Sequence, residues 1–355
     1  MKRVIVMLLA LTMLFALCAC GQTAQSTPAP APAATEAPAP AAEAQPAEAY
    51  DKVELKYSIN GTSTSIEAQV ANLFKENIEA ATDGAVTVTI FTDAQLAGGD
   101  LGGSVEAAQT GVMDIYCADT SVIAALNPSI GTSAIPFSYK SYADVEAAYD
   151  TTGGAYLADI LKDYNLTFVT YAHNGLQCVT CSKVQLDNPD AFKGIKIRIS
   201  GTQLNKDIYT ALGADPSALN WGEVYTALQN GTFDAQSNSP ATIKSGNIQE
   251  VQKYLAVTRH TYGAFLISFY TPTLEKLNPA TQEILISTLK DAAKQINTKT
   301  AQEEDAILQE LADGGMEVSY LTDEQVAAFQ NALADVISKY KEEYGQEACA
   351  AFLIP

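Results

Sequence analysis

The chain has 355 residues, with 41 Asp and Glu against 21 Lys and Arg, two His and a formal charge of −20. That balance excludes a sequence-independent nucleic-acid binder, which needs a basic face for phosphates, and it excludes anionic lipid as a preferred surface partner. With 47% hydrophobic and 17% charged residues the chain reads as globular, not as a disordered acidic polymer, and its length fits about two domains.

The first residues read as an address. Lys2 and Arg3 precede an apolar run, 4–19, whose only polar residue is Thr12. The run is shorter than the ~20 residues of a membrane span and fits a secretory signal. Leu17-Cys18-Ala19-Cys20-Gly21 resembles the bacterial lipobox, which implies cleavage after Ala19 and a lipid on Cys20. An ordinary signal peptide with no lipid is the alternative. Losing 1–19 removes Lys2 and Arg3 and takes the formal charge from −20 to −22. In 21–49 most residues are Ala or Pro, and Glu36, Glu43 and Glu48 are the only charges. Such a segment cannot build a core and is expected to act as a semi-extended tether between membrane and body.

The folded body begins near Tyr50. Val53, Leu55, Tyr57 and Ile59 alternate with Glu54, Lys56 and Ser58, which predicts a half-buried strand. Ile66, Val70, Phe74, Ile78 and Ala81 recur at helical spacing. After the Asp83-Gly84 turn, Val86, Val88 and Ile90 alternate with Thr87 and Thr89. Strand, helix and strand in succession predict a βαβ unit and a parallel sheet. Further strands are expected at 113–118, 167–172 and 195–200, with helices between them. One segment echoes another. Gln109-Thr110-Gly111-Val112-Met113-Asp114 is repeated in kind as Gln229-Asn230-Gly231-Thr232-Phe233-Asp234. Each reads as a helix ended by a left-handed glycine and followed by a strand. Two lobes built alike are the expectation, against chance likeness. Polar residues follow each expected strand, Asp119-Thr120-Ser121 and Gln236-Ser237-Asn238-Ser239. Open parallel sheets bind ligands beyond these strand ends, so a cleft between lobes that close by a hinge is expected. Asn278 and Pro279 open a helical run to Asp313, stopped by Gly314-Gly315. At 1.5 Å per residue it reaches ~52 Å, enough to span both lobes. A short strand at 316–320 and one helix from Asp323 to about Tyr344 complete the chain.

Cys178 and Cys181 have the C-x-x-C spacing of a redox or zinc half-site, but no second pair accompanies them. On a strand, residues three apart point to opposite faces, which favours free thiols, and no metal or cofactor is expected. His173 and His260 are the only imidazoles. Neither lies in a G-x-S-x-G or H-E-x-x-H pattern, so a secreted hydrolase is the weaker reading and no enzyme is expected.

The strongest single-site argument is Arg198. Ile195, Ile197 and Ile199 face a core, so Arg198 points the other way, near the end of its strand. A guanidinium there can fork onto a carboxylate, or pair with a surface acid.

Phe192-Lys193-Gly194-Ile195-Lys196-Ile197-Arg198-Ile199-Ser200 resembles the "lkGlkiRvp" signature of solute-binding proteins of tripartite ATP-independent periplasmic (TRAP) transporters. Trp221-Gly222-Glu223-Val224-Tyr225-Thr226-Ala227-Leu228-Gln229-Asn230-Gly231 is similar to that family's most typical stretch. Asp234-Ala235-Gln236-Ser237-Asn238-Ser239-Pro240 resembles its D-G-Q-E-N-P segment, and the order of motifs holds from about Tyr50 onward. The resemblance implies an α/β, two-lobed periplasmic-binding-protein-like fold with a long helix spanning both lobes. It divides the chain into lobe I (50–174 with 264–303) and lobe II (175–263 with 304–355). It implies a receptor that captures a small organic carboxylate and delivers it to the small and large membrane subunits of a permease. Arg198 would clamp the carboxylate, Trp221 would pack on the solute, and Asn238, Asp119, Gln177 and Gln236 would supply polar contacts. Gln177 stands where several members carry a second arginine, which favours a monocarboxylate. Ser237 replaces a glutamate that some members use for a metal. A receptor of an ATP-driven importer or a sensor is the alternative.

Overall fold

The computed structural model describes residues 50–355. The signal segment, Cys20 and the tether fall outside the described residues. The alternation at Val53 builds β1 (Val53–Ile59). Ser65 then opens α1 (Ile66–Ala81), its hydroxyl accepting from the Ala68 N–H at 3.2 Å. That bond satisfies one of the N–H groups a helix start leaves unpaired. The first lobe continues with β2 (Val86–Phe91), α2 (Leu101–Gln109), β3 (Ile115–Asp119), α3 (Thr120–Ile123), α4 (Tyr142–Ala148), α5 (Gly154–Leu161) and β4 (Leu166–Leu176). Only Gln177 separates β4 from β5 (Cys178–Cys181), which belongs to the other sheet. There follow β6 (Lys196–Ile199), α6 (Gln203–Ala211), β7 (Asp215–Ala218), α7 (Trp221–Gln229), β8 (Ala235–Asn238), α8 (Pro240–Ser245) and β9 (Tyr254–Val257). Residues 258–261 lead back to β10 (Tyr262–Tyr270) in the first sheet. The chain closes with α9 (Thr271–Glu275), α10 (Pro279–Asp313), β11 (Glu317–Tyr320), α11 (Asp323–Ala332) and α12 (Ala334–Ala351).

The first sheet has the order β2-β1-β3-β10-β4 and the second β7-β6-β8-β5-β9-β11. In each, three parallel strands meet an antiparallel fourth, β10 beside β3 and β5 beside β8. The lobes therefore share one plan. Each takes its antiparallel strand from just beyond a crossing between lobes. The sequence echo occupies matching places. Gly111 and Gly231 follow α2 and α7 at φ of 75° and 71°, where only glycine sits without strain. Asp114 then donates its N–H to the Lys56 carbonyl at 2.9 Å, and its Oδ2 accepts from the Lys56 N–H at 2.8 Å. Asp234 does the same with Lys196, at 2.8 and 3.1 Å.

The two crossings lie side by side. The Gln177 N–H donates to the Thr261 carbonyl at 2.9 Å, and Thr258 Oγ1 donates to the Gln177 carbonyl at 3.2 Å. The long helix runs unbroken for 35 residues from its Asn278 cap. Leu285, Leu289 and Ala293 pack in the first lobe, and Leu308 and Leu311 pack in the second, so α10 spans both.

Two expectations need correction. The single helix after Asp323 is two, because Leu333 leaves helical geometry (φ −103°, ψ 6°). The apolar spacing Phe329, Leu333, Val336, Tyr340 continues through the break, so periodicity alone does not reveal it. Residues 304–355 also do not stay with the second lobe. Lys339 pairs with Asp207 of α6 at 2.6 Å, but Tyr139 OH donates to the Phe352 carbonyl at 2.8 Å, returning the chain end to the first lobe. Among the described residues no helix is long and apolar enough to cross a membrane.

Candidate functional site

The parallel strands β1, β3, β6 and β8 end at one cleft, which encloses a cavity of about 120 Å³. The first lobe contributes Asn60, Gly61, Glu67, Asp119 and Asn174, and the second contributes Arg198, Trp221, Ser237 and Asn238. Gln177 and Thr261 line it from the crossings. The lobes touch beside it, where the Leu101 N–H donates to Asn220 Oδ1 at 3.4 Å and Thr242 Oγ1 donates to Asn174 Oδ1 at 2.9 Å.

Arg198 reaches this cleft because Ile197 and Ile199 on the same strand are buried in a core, and side chains on a strand alternate. Arg198 itself is only 4% exposed. Its Nε and Nη2 both donate to the Leu219 carbonyl, at 2.9 and 2.7 Å. Among the described residues no Asp or Glu forms an ion pair with it, unlike Arg259, which pairs with Glu304. Burial pushes its pKa down to about 10, and the charge of Asp119 opposes that shift without direct contact. The guanidinium carbon lies 5.8 Å from the centre of the Trp221 ring, within cation–π range. Trp221 opens α7, and Gly246 leaves room for its indole: a Cβ there would lie 2.7 Å from Cζ2.

Asp119 caps α3. Its Oδ1 accepts from the Ser121 N–H and Oγ at 2.8 and 2.6 Å, and its Oδ2 accepts from Asn174 Nδ2 at 2.7 Å. Gln177 Nε2 donates to the Gly175 carbonyl at 3.0 Å. Asp119, Asn174 and Gln177 converge on Gly263, where a Cβ would lie 2.9, 3.1 and 3.2 Å from their polar atoms.

Five of the six residues expected to bind ligand, Arg198, Trp221, Asn238, Asp119 and Gln177, are thus brought to one surface. Gln236 is not. It is fully buried, and its Oε1 accepts from Asn238 Nδ2 at 2.7 Å while its Nε2 donates to Thr180 Oγ1 at 3.0 Å. Gln236 and Asn238 share a face of β8, but Gln236 sits two residues, roughly 7 Å, deeper. It orients the Asn238 amide from below. Sequence reading missed Glu67. It lies on the buried stripe of α1 with Val70, Ala71, Phe74 and Ile78, a placement visible from helical spacing alone. Burial, then the charge of Asp119, raises its pKa to about 8.

The histidines are structural. His173 Nδ1 lies 2.7 Å from Tyr262 OH, and His260 sits between Tyr209 OH and Thr258 Oγ1 at 2.9 and 2.7 Å. Burial pushes their pKa values down to about 3 and about 4, so both are neutral at ordinary pH. Cys178 and Cys181 are buried free thiols that pack into different apolar clusters, on opposite faces of the sheet. Among the described residues no group of three His, Cys, Asp or Glu could hold a metal ion.

Residues 57–343 match the bacterial extracellular solute-binding proteins of family 7. The chain is 26% identical over 283 residues to the 2,3-diketo-L-gulonate-binding periplasmic protein YiaO of Escherichia coli, covering 80% of this chain and 85% of that one. It is 26% identical over 303 residues to the C4-dicarboxylate-binding periplasmic protein DctP of Rhodobacter capsulatus, covering 85% and 90%. Its fold matches a TRAP periplasmic solute-binding protein of Ralstonia eutropha, solved with bound (S)-2-acetolactate, at a TM-score of 0.82 and 22% identity, over 85% of this chain and 98% of that one. The family is one of transport receptors, not enzymes, which sets aside the hydrolase and the ATP-driven importer. The chain belongs to family 7 of the bacterial extracellular solute-binding proteins, the extracytoplasmic receptors of TRAP transporters.

Proposed function

We propose that the cleft captures a small organic monocarboxylate, with Arg198 as its clamp, and hands it to the small and large membrane subunits of a TRAP permease. One observation carries this reading: among the described residues, the guanidinium buried on the cleft wall has no carboxylate partner. A buried charge is costly unless paired, and an anionic solute supplies the pair. The protein as a whole is acidic, but exposed charges are screened beyond ~8 Å at physiological salt, so a local cation governs the cleft. Trp221 would cover the solute, and Asn238 would hydrogen-bond it from an amide set by Gln236. With Gln177 in place of a second arginine, the described residues that line the cleft offer no further cation for a second carboxylate. Solved relatives of the same fold carry carboxylates, D-erythronate in one and succinate in another. At the membrane, a lipid on Cys20 and the tether at 21–49 would hold the body near the permease.

A thermal-shift screen over a carboxylate panel tests the clamp. A ligand at a hundred times its dissociation constant stabilises by ~2.7 kcal/mol. Arg198→Ala should lose that stabilisation while melting as a folded protein without ligand. Unchanged affinity in Arg198→Ala would remove Arg198 from the site. Retention of the Cys20→Ala protein in the membrane fraction would remove the lipid anchor.

A further inference from the structure

The cleft has a second ionisable wall that the clamp does not use. Glu67 stands in the first turn of α1, 2% exposed, on the cleft surface and in the lobe opposite Arg198. Its Oε1 accepts from the Asn60 N–H at 3.3 Å. Gly61 makes room for the other oxygen, since a Cβ there would lie 2.1 Å from Glu67 Oε2. No cation adjoins it among the groups that act on it. It faces Asp119 and Cys117 of β3, Tyr116 beside them, Tyr57 of β1, and Ser65 of its own cap. Burial raises Tyr57, Tyr116 and Cys117, so these three stay neutral up to pH 9. Among the described residues Arg198 is the only cation on the cleft wall, and it feels the charge of Asp119. Burial and the Asp119 charge hold the Glu67 carboxyl neutral below about pH 8. A neutral carboxyl can donate as well as accept. On the same wall Asn60 Oδ1 is buried without a partner.

We propose that Glu67 is a specificity-determining residue of the cleft: its carboxyl donates a hydrogen bond to an uncharged oxygen, a hydroxyl or keto group, on the part of the ligand remote from the carboxylate. The inference rests on Arg198 as the carboxylate clamp. A hydroxy- or keto-monocarboxylate satisfies both ends. A plain alkanoate leaves the buried donor unpaired, and sites built around such a donor reject analogues that lack its acceptor. A dicarboxylate would set its second charge beside Glu67 and Asp119 with no cation to meet it.

Titration calorimetry on the whole chain at pH 7, 8 and 9 tests this, with hydroxy- and keto-monocarboxylates of three to six carbons, pentanoate and succinate as probes. The wild type should bind an oxygenated acid better than pentanoate or succinate. Its affinity for that acid should fall about tenfold from pH 7 to pH 9, as the donor form drops to a tenth. Glu67→Gln keeps an N–H donor that does not titrate, and should show no such slope. Glu67→Ala should lose the preference over pentanoate. The proposal is overturned by an unchanged slope in Glu67→Gln, by unchanged preference in Glu67→Ala, or by a wild type that binds none of the oxygenated acids. Arg198→Gln separates the two readings. If it binds like the wild type while the Glu67 slope persists, the clamp fails and with it the placement of the bond remote from the carboxylate, while the hydrogen bond from Glu67 to the ligand stands.

Discussion

Arg198 and Leu219 are joined by a forked hydrogen bond, Nε and Nη2 of the guanidinium donating to one carbonyl at 2.9 and 2.7 Å. The fork fixes the guanidinium plane before any ligand arrives. Arg198→Lys keeps the charge but loses the fork, because an ammonium is a point charge with no fixed plane. We expect at least a tenfold loss of carboxylate affinity in Arg198→Lys and a loss of about 2–5 kcal/mol in Arg198→Ala. Calorimetry of both variants checks the ranking; equal affinity of Arg198→Lys and wild type would show that orientation is unimportant.

Gln236 touches no ligand-lining space, yet its Oε1 holds the Asn238 amide. Gln236→Ala should weaken binding by about 1–3 kcal/mol through Asn238, the scale of a lost buried hydrogen bond. A double-mutant cycle with Asn238→Ala separates positioning from general destabilisation. Strong coupling supports the role, and additive effects reject it.

Gly263→Ala places a methyl 2.9 Å from Asp119 Oδ2 and 3.1 Å from Asn174 Nδ2. The polar wall of the first lobe must then shift. We expect roughly a tenfold or greater fall in ligand affinity, since a misplaced binding group is felt steeply. The unliganded melting temperature should change by only a few degrees, as overpacking costs about 1–3 kcal/mol. Wild-type affinity in this variant would mean that the wall does not contact the solute.

Stability of the unliganded protein should peak near pH 6.5. His173 and His260 have folded pKa values of about 3 and about 4 against 6.5 when unfolded, so the unfolded chain takes up protons first and stability falls as pH drops below 6.5. Glu67 works in the opposite sense. Its folded pKa of about 8 against 4.5 unfolded means that stability is lost as pH rises from 4.5 to 8. Each group contributes about 1.4 kcal/mol per pH unit inside its window. Two histidines outweigh Glu67 below pH 6.5, and Glu67 acts alone among the three above it. Melting curves from pH 4 to 9 should show this maximum, and Glu67→Gln should flatten the limb between 6.5 and 8. An alkaline limb unchanged in that variant would assign the proton to another group.

Much of the architecture was legible because it depends on residues close in sequence. The alternation at Val53, the cap and proline at Asn278 and Pro279, and the repeated Gly-x-x-Asp at 111–114 and 231–234 are local patterns, and each produced its element. Arg198 belongs with them, since strand alternation alone turns it away from Ile197 and Ile199. Other features depend on pairs far apart in the chain. Tyr139 meeting Phe352, Gln177 lying beside Thr261, and the exchange of β5 and β10 between sheets have no local signal. The same holds for the depth of Gln236 under Asn238 and for the approach of Asp119 to Glu67. By itself the sequence determined most of the elements, their order and the turn of Arg198 away from the core, because backbone propensity and periodicity are short-range. Only the tertiary structure decided which polar groups reach the cleft and in what protonation state, because desolvation is set by neighbours that arrive from elsewhere in the chain.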